Sequence, residues 1–502
     1  MTGSKPNLDR RRWLTGAGSA AAAIATAGCA ELAGDVGGGP YAQYAEISPK
    51  GGGAGGLAGG QSTLNVRVLG ASGNGRSDDT AAFRRAIRAA RSDGGIIFVP
   101  PGTYRVGELE SPGNVTWVGV PGASVLLHNG GAYLMAVTGV SNVSFQDLTF
   151  DGNRGARTDA ALMLVRDGAK RVRLEGCTIQ RGSNSGISIA DAACTVTDCL
   201  IRNVGLYGIV CNSREKIRIV GNEIVDIGNK GIYAFRPRRQ AVQLIIADNF
   251  ISRIRSDAGG DGPNGNAINL FRADDVLVQG NHVTECKFSG VRVAEGDGCR
   301  VIGNHFKRCF DTVIYIEFGA SRAIISSNHI VDCPHRAIGI TNFNNGGHMT
   351  ICSSNVIKNA GYEAIYAEAD TIVQGNIIDG ADHGIVVGNG KYLRNVTIEG
   401  NTIQDTRGGS KRRLRYGILV SNHGEAKPAF VANNRIFNFR SKAIHGHDHR
   451  TPARLGSNVY LAHNFPGVNS KDLPRRAVGG SVNYEPDTGR QSTFGRGRWN
   501  SS

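Results

Sequence analysis

An asparagine recurs along this chain at intervals averaging about 26 residues, each time in the same local frame. Ile217, Ile219, Asn222 and Ile224 set the pattern. It returns as Val276, Val278, Asn281 and Val283, as Cys299, Val301, Asn304 and Phe306, and as Val396, Ile398, Asn401 and Ile403. Asn249, Asn328, Asn355, Asn376 and Asn434 hold the same position, and Cys177 and Cys199 fill it in the first two clear units. A second element usually follows nine residues later, as Gly231-Ile232-Tyr233-Ala234, Gly290-Val291-Arg292-Val293 or Ala364-Ile365-Tyr366-Ala367. A period of this length means stacked copies of one supersecondary unit. Short β-branched runs that alternate between two faces and are punctuated by turns are strands, three per unit.

Strands that return to the same place every unit must wind as a parallel coil. The expected fold is all-β: a single-stranded right-handed parallel β-helix over residues 111–450, with about 12 coils of three strands each. Each turn asparagine then stacks on the next along the axis as a ladder of amides. Composition agrees with this reading. Glycine is abundant at 71 residues, but there are only 15 prolines and no Gly-X-Y period, which excludes collagen. At 40% hydrophobic the chain is too apolar to be disordered. No apolar run reaches the roughly 20 residues that span a bilayer.

Residues 64–110 read as strand, turn, helix, strand and turn. Asp78 or Asp79 is placed to cap a helix whose apolar Ala82, Phe83, Ala86, Ile87 and Ala90 recur at helical spacing, and Gly94-Gly95 ends it. Taken whole, this segment resembles the N-terminal cap of the pectate-lyase-like superfamily found in rhamnogalacturonases and epimerase-like proteins.

Ahead of it, residues 30–63 form a glycine-rich linker. Residues 1–29 resemble a twin-arginine signal peptide: Arg10-Arg11-Arg12-Trp13-Leu14, then a weakly hydrophobic alanine-rich core. That resemblance implies a partner, the twin-arginine translocase, and a periplasmic or secreted location. Cys29 would tie the chain to the membrane only if lipidated. The segment carries +3 of the formal charge of +15, leaving a basic mature chain of about +12. Signal, cap and repeat together resemble the Tat-exported, repetitive β-helix proteins of undefined function. Residues 451–502 lose the repeat and read as a C-terminal cap and disordered tail.

The nine cysteines beyond Cys29 all fall on inward rows and read as small core hydrophobes, although neighbouring coils are near enough for a disulfide. Function must therefore come from outward positions. The outward residue of each Gly-Ile strand gives an axial row that includes Tyr233, Asn269, Arg292, Tyr315, Gly339 and Tyr366. Tyrosines separated by polar residues on a flat sheet suit the faces and hydroxyls of sugars, or else stack beneath a covering loop. Glu317 and Glu368 lie two coils apart with Glu295 nearly in line, a spacing of about 9.6 Å near the upper end for inverting glycosidases. Lys230, Asp311, His335, Arg336, Glu363, Asp382 and His383 line the other edge of the strand. His335 and Arg336 supply a base and a carboxylate-neutralising cation, which proton abstraction at C5 of a uronate needs.

Asp332-Cys333-Pro334-His335-Arg336 resembles the Asp-Pro-His motif of mannuronan epimerases, with Cys333 inserted and Arg336 where that motif is acidic. The Asn-x-Asp, Asp-Asp, Gly-His-Gly and Arg-x-Lys series of pectin hydrolases is absent in register. The candidate catalytic set is His335, Arg336, Arg292, Glu317 and Glu368. The candidate substrate-binding set is Tyr233, Asn269, Tyr315, Tyr366, Glu295 and Lys230. No resident metal is assigned; residues 256–264, with Asp257 and Asp261, read as a flap in preference to a calcium-binding loop. Arg236-Pro237-Arg238-Arg239 and residues 407–415 are basic insertions that point to polyanions. No nucleic-acid motif accompanies them. His445, His447 and His449 alternate near the end. The leading expectation is an exported monomer that binds an acidic polysaccharide on its outward strand face and cleaves or epimerises it, as a lyase, epimerase or glycoside hydrolase. The alternative is a non-catalytic glycan-binding or structural module of the cell envelope.

Overall fold

The computed structural model describes residues 63–154, 161–260, 262–341, 348–388, 394–407, 411, 413–420 and 429–445, together with the backbone of short strands at 453–455, 459–461 and 482–484. The signal-like segment, the linker up to residue 62, Asp261, His447 and His449 lie outside these residues.

Three parallel ladders wrap one core. The first has 16 strands, beginning with Thr63–Asn65. The second comprises the strands that follow the turn asparagines, such as Glu223–Ile227. The third has 14 strands, from Leu109–Glu110 to Lys442–His445, slightly more than the expected count. Each strand pairs in parallel with those one coil before and after it; Ile217, for example, pairs with Leu244 and Ile224 with Ile251. This is the right-handed parallel β-helix expected from the repeat.

Helix α1, Thr80–Asp93, closes the N-terminal end and buries Ala82, Phe83, Ala86, Ile87 and Ala90. The Asp78 carboxylate accepts the Thr80 N–H at 2.9 Å, while Asp79, the residue at the cap position, instead ties down Ser72 and Gly73. At Gly94 the backbone turns with φ 68°, and a Cβ would fall 2.4 Å from the Asn114 carbonyl oxygen, so only glycine fits. Phe83 stacks on Trp117, and Trp117 on Phe145, carrying the cap contact into the core.

The asparagine ladder is continuous from Asn222 to Asn434. From Asn249 on, each buried side-chain oxygen accepts both the backbone N–H and the Nδ2–H of the asparagine one coil earlier, while that of Asn222 accepts the Cys199 N–H. For Asn281 these bonds to Asn304 are both 2.9 Å. Every polar group at this corner is thereby satisfied inside the core. The nine cysteines are buried, free thiols, with Cys286 and Cys309 directly paired in register. Burial pushes the Cys211, Cys299, Cys333 and Cys352 thiols up to about 12.

Candidate functional site

The third ladder sets the expected outward row in register. Tyr233 pairs with Asn269, Asn269 with Arg292, Arg292 with Tyr315, Tyr315 with Gly339 and Gly339 with Tyr366. Much of this row is covered. Tyr366 and Asn269 are each 5% exposed, and Tyr233 and Tyr315 are half-buried. The loop after Ile254 folds back over the face. Asn269 Nδ2 donates to the Pro263 carbonyl at 3.2 Å, and Asn266 Nδ2 to that of Gly262 at 2.8 Å. A Cβ at Gly262 would meet Arg292 Nη1 at 2.6 Å, so the glycine permits this approach. Asp257, one of the two acids of that loop, pairs with Arg255 at 2.8 Å.

The charged residues of the face partner one another across coils. Arg292 Nε lies 2.5 Å from Glu317 Oε1, with Glu317 1% exposed. Burial holds the Glu317 carboxyl above its usual range even though Arg292 opposes the shift. Glu295 is set apart from this pair at the strand end, where Arg272 holds it at 2.8 Å. Lys230 lies between the rings of Tyr207 and Tyr233, 4.6 and 4.3 Å from their centroids, and donates to Asn264 at 3.2 Å. Burial, with the charge of Arg292 adding to it, lowers the Lys230 ammonium to about 8.

Arg336 crosses the face at the gap in the tyrosine row. A Cβ at Gly339 would lie 3.1 Å from Arg336 Cδ, 2.9 Å from Thr312 Cγ2 and 3.3 Å from Tyr315 Cδ2, so the absence of a side chain there makes room for the arginine. Its guanidinium sits 4.7 Å over the Tyr366 ring and pairs with the buried Glu363 at 3.1 Å. Tyr366 in turn donates to Glu368, 2% exposed, at 3.1 Å. Glu317 and Glu368 are therefore two coils apart, as expected, but both are buried and engaged.

The exposed chemistry lies one step over, at the turn leading into this ladder. His335 Nδ1 lies 3.2 Å from Asp311 Oδ1, and both side chains are open to solvent at 46% and 31% exposure. The hydrogen bond from His335 lowers the Asp311 carboxyl. From His335 a strip of rings runs along the axis: Tyr362 at 6.0 Å, then His383 at 5.6 Å, Tyr416 at 5.4 Å and His445 at 5.0 Å. Arg415 lies 5.1 Å over the Tyr416 ring, and His383 Nδ1 lies 3.1 Å from Asp382. Beside Asp311, a groove of about 420 Å³ is lined by Arg253, Arg255, Asp257, Glu285, Lys287 and Phe310. A larger one, about 750 Å³, lies against α1 at the far end and mixes Arg84 and Arg88 with Asp78 and Glu108.

Asp332 takes a left-handed turn conformation, φ 56°, and binds Asn359, whereas Asp311 of the preceding coil serves His335. Tyr362, which is exposed, and Tyr416, which is half-buried, were missed as rings of the turn row. They precede the Ala364 and Gly417 strand starts, so aligning the turn row as well as the strand row would have found them. One basic insertion is largely structural. Arg236 is buried against Asn212 at 2.7 Å, and Arg239 joins Asp274 and Asp297 at 3.2 and 2.7 Å. Among the described residues no group of three or more His, Cys, Asp or Glu is placed to hold a metal ion.

Known proteins resemble parts of this chain. The chain is 28% identical over 262 residues to mannuronan C5-epimerase AlgE3 of Azotobacter vinelandii, which is 46% of this chain but 14% of that protein. It is 33% identical over 175 residues to mannuronan C5-epimerase AlgE5 of the same organism, covering 30% and 18%. The chain thus spans under a fifth of the length of these curated relatives. Among solved structures, the family 28 exopolygalacturonase of Yersinia enterocolitica aligns over 73% of this chain and 78% of its own, at 12% identity and a TM-score of 0.48. The model described as rhamnogalacturonase A/epimerase, pectate lyase-like, matches residues 63–129, the cap and first coils. The model for the right-handed β-helix region matches residues 124–251, 192–354 and 261–436, most of the coiled body, and the chain belongs to that family.

Proposed function

We propose that this protein acts on an acidic polysaccharide laid along the ring strip, with His335 as the base that removes the C5 proton of a uronate residue. The observation that carries this reading is the exposed Asp311–His335 pair at the head of the strip. The Asp311 carboxylate accepts the Nδ1–H of His335, which fixes the tautomer and leaves Nε2 to take a proton. Arg336, held by Glu363, is the adjoining cation, and the groove lined by Arg253, Arg255, Asp257, Glu285, Lys287 and Phe310 extends the track. His335, Tyr362, His383 and Tyr416 follow one another at successive coils, about 4.8 Å apart, along the path of a polymer running along the axis, with His383 buried between the two tyrosines. Relatives named for epimerising mannuronan support the same substrate class. Burial and pairing of Glu317 and Glu368 favour proton abstraction over glycoside hydrolysis. Export through the twin-arginine pathway to the periplasm or beyond goes with this reading.

A second reading, a non-catalytic glycan-binding module, is favoured by one observation: the charged groups of the face are paired internally, Arg292 with Glu317, Arg336 with Glu363 and Tyr366 with Glu368. A screen of the purified chain against uronate polymers, with and without calcium, separates the two. Unsaturated chain ends or an altered epimer ratio, lost in H335Q, support catalysis. Binding that is weakened in Y362A without turnover supports the module, and failure of both rejects the strip as a glycan site.

A further inference from the structure

A second row of rings lies on the outer face of the second ladder. His282, His305 and His329 occupy one outward position in three consecutive coils, paired in register, between Phe250 before them and Val356 after. Ring centroids are 4.6 Å apart for His282 and His305 and 4.9 Å for His305 and His329. His305 Nδ1 lies 3.1 Å from His329 Nδ1. His282 and His329 are exposed and His305 is half-buried.

We propose that His305 and His329 form a bidentate site for a borderline divalent transition-metal ion such as Ni²⁺, Cu²⁺ or Zn²⁺, with His282 as the adjoining third imidazole. Two metal–nitrogen bonds of about 2.0–2.1 Å at a tetrahedral angle hold their nitrogens about 3.3 Å apart, close to the spacing already present. The strand register supplies this spacing without rearrangement. The donor set is imidazole alone. Thr284, Lys307 and Val331 fill the neighbouring outward row, and the corner carboxylates Glu285 and Asp332 are engaged by Arg308 at 2.5 Å and by Asn359 at 2.9 Å. Such a set selects borderline transition metals over calcium or magnesium, which require oxygen ligands. The described residues place a pair, not a trio, in ligand geometry, so water or a reoriented His282 completes the shell.

The test is a calorimetric titration of the tag-free full chain with Ni²⁺ alone, and with Ca²⁺ alone. The site takes up one saturable equivalent of Ni²⁺ and no Ca²⁺, and its affinity falls as pH drops through the imidazole range. H305Q and H329Q each weaken it by about tenfold or more, since loss of an outer-shell partner alone costs about 10–100-fold. These positions face solvent, and circular dichroism verifies that the variants remain folded. Electron paramagnetic resonance of bound Cu²⁺ reports two imidazole nitrogens. Unchanged affinity in the double variant, no saturable uptake, or loss of binding in H335Q instead would each overturn the assignment.

Discussion

The Arg292 guanidinium and the Glu317 carboxylate meet at 2.5 Å across adjacent coils, beneath a loop that also closes over Asn269. The pair is internal wiring of the face. Replacing Arg292 with methionine leaves Glu317 buried without its cation and costs about 3–5 kcal/mol at neutral pH. Glu317 carries its own pH signature. Its folded carboxyl is raised, so its contribution is present below the ordinary carboxylate range and is lost as pH rises through the raised value. The stability of the native chain relative to E317Q therefore declines between acid and neutral pH. Denaturant unfolding at several pH values measures both effects, and a flat difference contradicts the assignment.

Lys230 has the opposite sense. Its folded ammonium is lowered from 10.5 to about 8, so the charge is penalised in the folded state. The penalty is complete below about 8 and is relieved as pH rises towards 10.5. K230M therefore unfolds at higher denaturant than the native chain at pH 7, and its advantage fades above pH 10. A lysine resonance titrating near pH 8 in isotope-edited NMR is the direct check.

Gly339 is the space in which Arg336 lies. A valine there drives its side chain into Arg336 and Thr312 without straining the backbone, because the position is an ordinary strand. G339V should remain folded by circular dichroism and lose action on polymer. Retention of activity would remove Arg336 from the site.

The ladder predicts a large local cost. Asn304→Ala leaves two buried donors of Asn281 without an acceptor, each worth about 1–3 kcal/mol. Unfolding that shifts by less than about 1 kcal/mol would show that water replaces the amide at little cost.

The periodicity of Asn222 to Asn434 made the winding, the inward cysteines and the outward row readable, because a stacked coil repeats one register everywhere. Helix α1 was equally plain from Ala82, Phe83, Ala86, Ile87 and Ala90. The site was not. Whether Tyr366 is open or covered depends on the Arg336 guanidinium of the preceding coil lying over its ring, and whether Arg336 is a reacting cation or a paired one depends on Glu363 in the next coil. Neither follows from strand alternation. Asp311 and His335 were already legible on one strand edge, but that the two meet, while Asp332 binds Asn359 instead, depends on how successive coils stack.

Incubation of a uronate polymer with the chain in deuterium oxide, followed by NMR of C5, addresses proton abstraction at His335 itself. The native chain is expected to introduce deuterium at C5 or to release unsaturated ends, and H335Q to do neither while still binding the polymer. Absence of exchange and elimination on every uronate polymer, or full activity in H335Q, would contradict the assignment of this face as a site of C5 chemistry.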